Sequence, residues 1–379
     1  MDKKTRLLTT FDLRQPDRPP ILGGWLYAPD TIQQIAGCSE DDYYARPLYW
    51  GIEAERLLGS DGMMGVFAPQ RRGRWCIVDH DTLDTRAAYT IEAVLADIAS
   101  LPDPHSAVQP TDEASYMAFV AGAGQVLSGA GQWCLASQTY AEFVGQYQAR
   151  QRDCGDMLWC AADWRLVPQG LWYPWYGYES SMLVLALYPD VYHKLLRLSA
   201  LRARRQAEML ARGIAEGVCP PAVLTGEDLC SQRGPLVSPD WLRREYWPLV
   251  EYTLEPLVRI GAKVVWHCDG DYRLLLPDIM ACGLAGLQGF QPECGMSLEW
   301  IADLRTRTGD PFLIFGPIAV TGALRFGTPD DVRSEVRWAM NMCRDRAALA
   351  FLTSNTINPD VPVENIRAYR DAVLNSRWS

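Results

Sequence analysis

The sequence predicts a parallel α/β fold, a (β/α)8 TIM barrel with an N-terminal extension and insertions, and three observations lead there. From Tyr188 onward, apolar β-branched stretches alternate with amphipathic helical ones, the pattern of parallel strands joined by right-handed helical crossovers. Strand candidates near residues 21, 63, 134, 223, 264, 286, 313 and 350 number eight, the count that closes such a barrel. The C-terminal ends of these apolar strands are polar, and a barrel of this kind carries its site at those ends.

Taken in order, residues 3–14 form a short amphipathic helix stopped by Gln15-Pro16-Asp17. Pro19-Pro20 then leads rigidly into a buried strand that ends at Gly24-Trp25. A helix over 41–58 precedes a second strand at 62–67, which ends at Ala68-Pro69, and 72–89 reads as a polar hairpin with an Asp-rich turn. Helices at 91–99 and 112–127 are split by a Pro-rich stretch, and 133–137 is the third strand candidate, with Gln138 to Tyr140 at its end. Residues 154–179, with Pro168, Gly170 and Pro174 among many aromatic rings, read as a long functional loop or insert. Regular alternation follows: helix 189–216 and strand 222–225, helix 239–259 and strand 263–267, helix 271–282 and strand 284–290. Helix 297–307 and strand 311–316, helix 329–346 and strand 348–353, and a last helix over 362–374 complete it. No short repeat or low-complexity linker interrupts the chain, so 1–379 is expected to be a single domain.

Composition narrows the function. At 48% hydrophobic and 22% charged the chain is an ordinary globular one, and a net charge of −10 with no basic block argues against nucleic acid or an anionic membrane as partner. No signal-peptide core and no run of ~18 apolar residues is present, so a cytoplasmic location is expected. The eleven cysteines lack CxxC pairs and read as reduced, mostly buried thiols. The sequence is compatible with a homo-oligomer. Nucleotide-binding signatures, a GxGxxG after a strand or a P-loop, are missing.

The most informative stretch is Lys263 to Asp271, KVVWHCDGD. Alternate strand residues share a face, so His267 and Asp269 point one way and Trp266 and Cys268 the other. A His-x-Asp pair at a strand end serves as a metal half-site, as an acid/base couple, or as a strand end tied to its turn. Glu227 and Asp228, at the end of the preceding strand, are candidates for a third metal ligand or for proton transfer, while Arg233 is expected to pair with a carboxylate and shape that loop. Tyr140 is a candidate proton donor to a leaving oxygen. The aromatic run from Leu171 to Glu179 contributes Trp172, Trp175, Tyr176 and Tyr178, which with Trp25 are the candidates for holding a flat substrate, because ring stacking adds ~0.5–1.5 kcal/mol beyond burial. Glu293-Cys294 reads as a turn beside a buried thiol, and His80, His105 and His193 as surface or structural.

Five ordered blocks carry a family likeness: Arg14-Gln15-Pro16-Asp17-Arg18-Pro19-Pro20; Leu236-Val237-Ser238-Pro239 with a helix to Trp247-Pro248; His267-Cys268-Asp269-Gly270; Gly316 through Gly327-Thr328-Pro329-Asp330-Asp331-Val332; and Val361-Pro362-Val363-Glu364-Asn365. Together they resemble the uroporphyrinogen decarboxylase superfamily across nearly the whole chain. That resemblance implies a (β/α)8 barrel and two branches of function. Decarboxylases of the superfamily hold a polycarboxylate tetrapyrrole with N-terminal arginines, whereas here Trp25-Leu26-Tyr27-Ala28-Pro29-Asp30 follows the first strand and no arginine appears until Arg46.

The chain is closer to the second branch, methyltransferases that exchange methyl groups between small substrates and a corrinoid protein, several with zinc on a His-x-Cys motif and a second Cys near the last strand. His267 matches that His, but Asp269 stands where the thiolate would be, and Ser354-Asn355-Thr356 offers no second Cys. The resemblance therefore implies a corrinoid-dependent methyltransferase acting on a small, aromatic O-methyl substrate. Its zinc would be held by His267, Asp269 and Glu227 or Asp228, and a corrinoid (cobalamin-type) cofactor would come from a partner protein. The alternatives are a metal-free lyase of the decarboxylase kind and a non-catalytic small-molecule binding barrel.

Overall fold

Local signals account for most helix starts. The helix Tyr140–Cys154 begins where Thr139 and Glu142 form a reciprocal capping box and stops at Gly155, whose φ of 63° leaves the helical path. Thr328 and Asp331 cap Pro329–Cys343 in the same way, and a proline in the first turn starts the long helix Pro189–Ala215. The computed structural model describes residues 1–66, 90–104, 112–123 and 129–378. The hairpin expected at 72–89, the strand end Ala68-Pro69, His80 and His105 lie outside them.

Among the described residues, eight short parallel strands stand in sequence order. β1 (Leu22–Gly23), β2 (Gly62–Met63) and β3 (Leu158–Trp159) form one sheet. β4 (Ala222–Gly226), β5 (Lys263–His267), β6 (Gly286–Gln288), β7 (Leu313–Phe315) and β8 (Ala348–Ala350) form the other. Isolated parallel bridges, Ile21 with Phe351 and Ala162 with Leu224, link the margins of the two sheets. A small antiparallel hairpin, Cys230–Ser231 with Gly234–Pro235, packs over the end of β5, where the Asp271 N–H donates to the Ser231 carbonyl.

The third strand differs from expectation. Residues 129–134 are helical, and the capping box at Thr139 commits the next segment to helix as well, so 133–137 forms no strand. The strand is instead Leu158–Trp159, inside the stretch expected to be loop, where the apolar run Met157 to Ala162 extends directly after the helix stop at Gly155.

Strand alternation sorts the core into two layers. Leu224, Val265, Phe315 and Leu352 gather in one buried cluster with Leu7 and Phe11 of the helix Lys3–Phe11. Their neighbours Val223, Val264, Trp266 and Ile314 belong to the larger cluster against the helices. All the described cysteines are free thiols. Among the described residues no helix is long and apolar enough to cross a membrane.

Candidate metal centre

Register brings the site together. Gly226 stands opposite His267 and His267 opposite Gln288, so the face shared by Leu224, Gly226 and Val265 continues through His267 to the residues two further on, Asp228 and Asp269. One donor atom from each of Asp228, His267 and Asp269 lies within 4.8 Å of the other two. His267 Nε2 is 3.4 Å from Asp228 Oδ1 and 3.8 Å from Asp269 Oδ1. The imidazole is buried beneath, while the two carboxylates are 41% and 33% exposed and face the opening.

Gln288 sets the orientation of the ring. Its side-chain nitrogen donates to the carbonyls of Thr353 and Ser354, both at 2.9 Å, which turns its oxygen toward His267 Nδ1 in a short hydrogen bond. The proton therefore sits on Nδ1, and the Nε2 lone pair of a neutral imidazole faces two carboxylates. Asp269 is held in turn by Asn355, whose Nδ2 donates to Oδ2 at 2.8 Å, and the Asp269 N–H donates to Asp228 Oδ1 at 2.9 Å. Gly289 is required beside the ring: its φ is 89°, and a Cβ there would come 2.8 Å from His267 Nδ1.

Electrostatics point to a missing positive charge. Burial by itself would lower the His267 pKa, but the hydrogen bond and charge of Asp228 raise it to about 9. Asp228 is held low against its burial by His267, whereas burial and the neighbouring charge of Asp228 push Asp269 up. Among the described residues no Lys or Arg nitrogen lies within 4.0 Å of either carboxylate. One proton on Nε2, or one metal ion, is what this cluster accommodates.

The donor set fits a metal. Zinc takes His nitrogen and carboxylate oxygen at ~2.0–2.2 Å, and a tetrahedron on such bonds has donor separations of roughly 3.3–3.6 Å, close to those seen around His267. An Nδ1–H donated to an acceptor is also the usual support of a metal-binding imidazole.

Glu227 does not join the cluster. Alternation points it away from Asp228, toward the helices, where Oε1 and Oε2 accept from Gln169 Nε2 at 2.7 Å, Gly170 N at 2.8 and 2.9 Å, and Leu171 N at 2.6 Å. Burial nonetheless raises its pKa to about 7, against the pull of those backbone donors. It anchors the loop that carries Trp172. Tyr140 is elsewhere as well: it opens a helix rather than ending a strand, and its hydroxyl donates to Glu216 Oε2 at 2.7 Å beside Arg212. Arg233 is exposed and forms no ion pair among the described residues.

The aromatic candidates divide. Trp25 packs edge to face with His267 at 6.1 Å between centroids, and Trp164, held by the Asp163-capped turn that follows β3, does so at 5.3 Å. Trp172 and Trp175 pack on each other, Trp175 packs on Trp133, and Tyr176 bonds to Asp97, so these three serve the core. Tyr178 is exposed and stacks at 4.1 Å on Tyr173, whose pKa is raised by burial first and by the charge of Asp228 next. Sequence reasoning passed over Gln288; its signal was a lone amide in an apolar strand, in register with His267.

Twenty-three solved chains match this fold. Among them is a methyltransferase from Methanosarcina mazei, with a TM-score of 0.60 and 15% identity over 98% of each chain. At that identity the likeness shows the fold. No protein-family model and no curated protein matches the chain.

Proposed function

We propose that this chain is a metal-assisted methyltransferase of the uroporphyrinogen decarboxylase-like kind. In this reading it moves a methyl group from a small methyl ether to a corrinoid presented by a partner protein. The observation that carries it is the cluster of Asp228, His267 and Asp269, a three-donor set that lacks a protein cation among the described residues, at the C-terminal ends of parallel strands. The shared fold with a methyltransferase supports the same reaction class. In this reading the eight strands close as a single (β/α)8 barrel domain, which the two bridges at the sheet margins support.

Asp228, His267 and Asp269 would hold the ion. A zinc ion held there would supply Lewis acidity toward the ether oxygen of the substrate. Gln288 keeps the His267 proton on Nδ1 and its Nε2 free for the ion. Asn355 fixes the Asp269 carboxylate. Trp25 and Trp164, packed against the His267 ring, would exclude water from the base of the site and suit an aromatic substrate.

Protein purified without chelators is expected to carry one zinc ion per chain by elemental analysis, and His267→Ala to carry none. With a reduced corrinoid protein and a methoxyarene, the absorbance of methylcobalt is expected to appear. Protein without stoichiometric metal that still turns over would overturn the metal-assisted form of the proposal.

A further inference from the structure

A cavity of about 470 Å³, none of whose lining residues belongs to the metal cluster, lies between the helix Tyr140–Cys154 and strands β3 and β4. Its existence has a plain origin. Beyond the single bridge of Ala162 with Leu224, β3 and β4 are not paired, and three alanines, Ala161, Ala162 and Ala222, line the seam where larger side chains would fill it. One face of the helix closes the cavity with Phe143, Gln146, Tyr147 and Arg150, spaced three and four residues apart. Trp159, Leu210 and Val223 complete an apolar wall.

The opposite end is polar and carries two guanidiniums, Arg165 and the exposed Arg150, whose Nη1 is shared with Asp153 at 3.2 Å. Asp163 accepts from Arg165 Nε at 2.8 Å and Nη2 at 3.0 Å and from Gln206 Nε2 at 2.6 Å, so this carboxylate is fully engaged. Arg165 Nη1 has no protein partner among the described residues, and Arg165, with Arg150, lines the cavity. Outside the cavity lining, one helical turn from Gln206, Arg202 is only 3% exposed, and its Nε and Nη1 have no partner among the described residues. Its guanidinium rests 4.0 Å from the Trp133 ring centroid and within the field of Asp163. Asp163 thus stands against two buried or half-buried guanidiniums, and an uncompensated buried cation is costly.

We propose that this cavity is a second ligand site, distinct from the Asp228, His267 and Asp269 cluster, for a small planar aromatic carboxylate. The ring lies against Phe143, Tyr147 and Trp159, and the carboxylate accepts from the free edge of Arg165 and from Arg150 at the rim. The size suits one fused-ring ligand and no macromolecule.

Calorimetric titration of the full-length protein with 2-naphthoate, and separately with its methyl ester, tests this. The carboxylate is expected to bind one per chain, about tenfold or more tighter than the ester. Leu210→Trp, which fills the cavity, is expected to abolish binding, and His267→Ala to leave it unchanged. If Leu210→Trp fails to fold, Arg150→Gln on an exposed helix face is the second variant, expected to weaken the carboxylate and spare the ester. Equal affinity for ester and acid, absence of binding, an Arg150→Gln protein with unaltered affinity, or binding lost in His267→Ala but kept in Leu210→Trp would each overturn the proposal.

Discussion

Asp61 and Asp269 are both acidic residues beside a parallel strand, one just before β2 and the other just after β5, and they meet opposite circumstances. Asp61 is completely buried and accepts from the Arg6 guanidinium, from Arg18 Nη1 at 2.8 Å and Nη2 at 3.1 Å, and from the Ile21 N–H at 2.8 Å. Glu55 nearby is treated alike, accepting from Gly24 N at 2.7 Å, Ser60 Oγ at 2.6 Å and Arg370 Nη2 at 3.0 Å. Asp269 shares a single imidazole with Asp228 and has no arginine or lysine among the described residues. Carboxylates whose cation is built into the chain hold the fold, whereas the pair that shares one imidazole is the place where the proposed metal ion would sit.

Removing a carboxylate at each end separates these roles most strongly. Asp61→Ala removes the buried carboxylate shared by two guanidiniums, leaving Arg18 only the Pro19 carbonyl and Arg6 only Asp17 and the Met1 carbonyl, and chemical denaturation is expected to show a loss of about 3–5 kcal/mol. Asp269→Asn relieves a like-charge contact; stability of the metal-free protein is expected to change by less than about 1 kcal/mol, while metal binding falls sharply. An Asp269→Asn protein as unstable as Asp61→Ala would erase the distinction.

A smaller effect is expected from Gln288→Ala. Losing the acceptor on His267 Nδ1 is expected to weaken metal affinity about 10–100-fold in competition with a chromophoric chelator, and Gln288→Glu, which keeps an acceptor, to restore part of it.

The two ends also respond to pH in opposite senses. The Arg6 hydrogen bond, helped by the charge of that guanidinium, holds Asp17 well below its ordinary 3.8 despite some burial, so its contribution is complete above 3.8 and is lost as the pH falls through the lowered value. His267 in chelator-treated protein is raised from 6.5 to about 9, Asp228 outweighing burial, so its contribution is complete below 6.5 and is lost as the pH rises through about 9. Melting temperatures across pH are expected to fall at both limits, with Asp17→Asn flattening only the acid limb and Asp228→Asn, which breaks an ion pair whose two partners both titrate, flattening the alkaline limb and part of the acid one. The least effect is expected for Tyr140→Phe, which loses one half-buried hydrogen bond to Glu216, at most about 1 kcal/mol, and leaves metal binding at the cluster unchanged.

Much of this was legible in the chain. His267 and Asp269 share a face because alternation in a strand is steric and local, and the residue types at the other strand ends already marked a polar mouth. The same alternation, carried back from Gly226 opposite His267, separates Asp228 from Glu227, but only once the register between β4 and β5 is known. The third strand was misread because Trp133 to Ser137 has strand-like residues while the decisive signal, the capping box at Thr139, assigns the following segment to helix. The aromatic run was over-read for a related reason: rings adjacent in sequence on a short helix point in different directions, and among the described residues it is Trp25 and Trp164, far apart in sequence, that converge on His267.

By itself the sequence determined the alternating parallel architecture, most helix limits and the His-x-Asp pair, because caps, prolines and strand periodicity act over a few residues. Only the tertiary structure decided that Asp228 completes the cluster, that Glu227 anchors a loop, that Gln288 orients the imidazole, and that an alanine-lined cavity opens between β3 and β4. Each of those depends on which strand lies beside which and in what register, a long-range property that no local stretch of residues encodes.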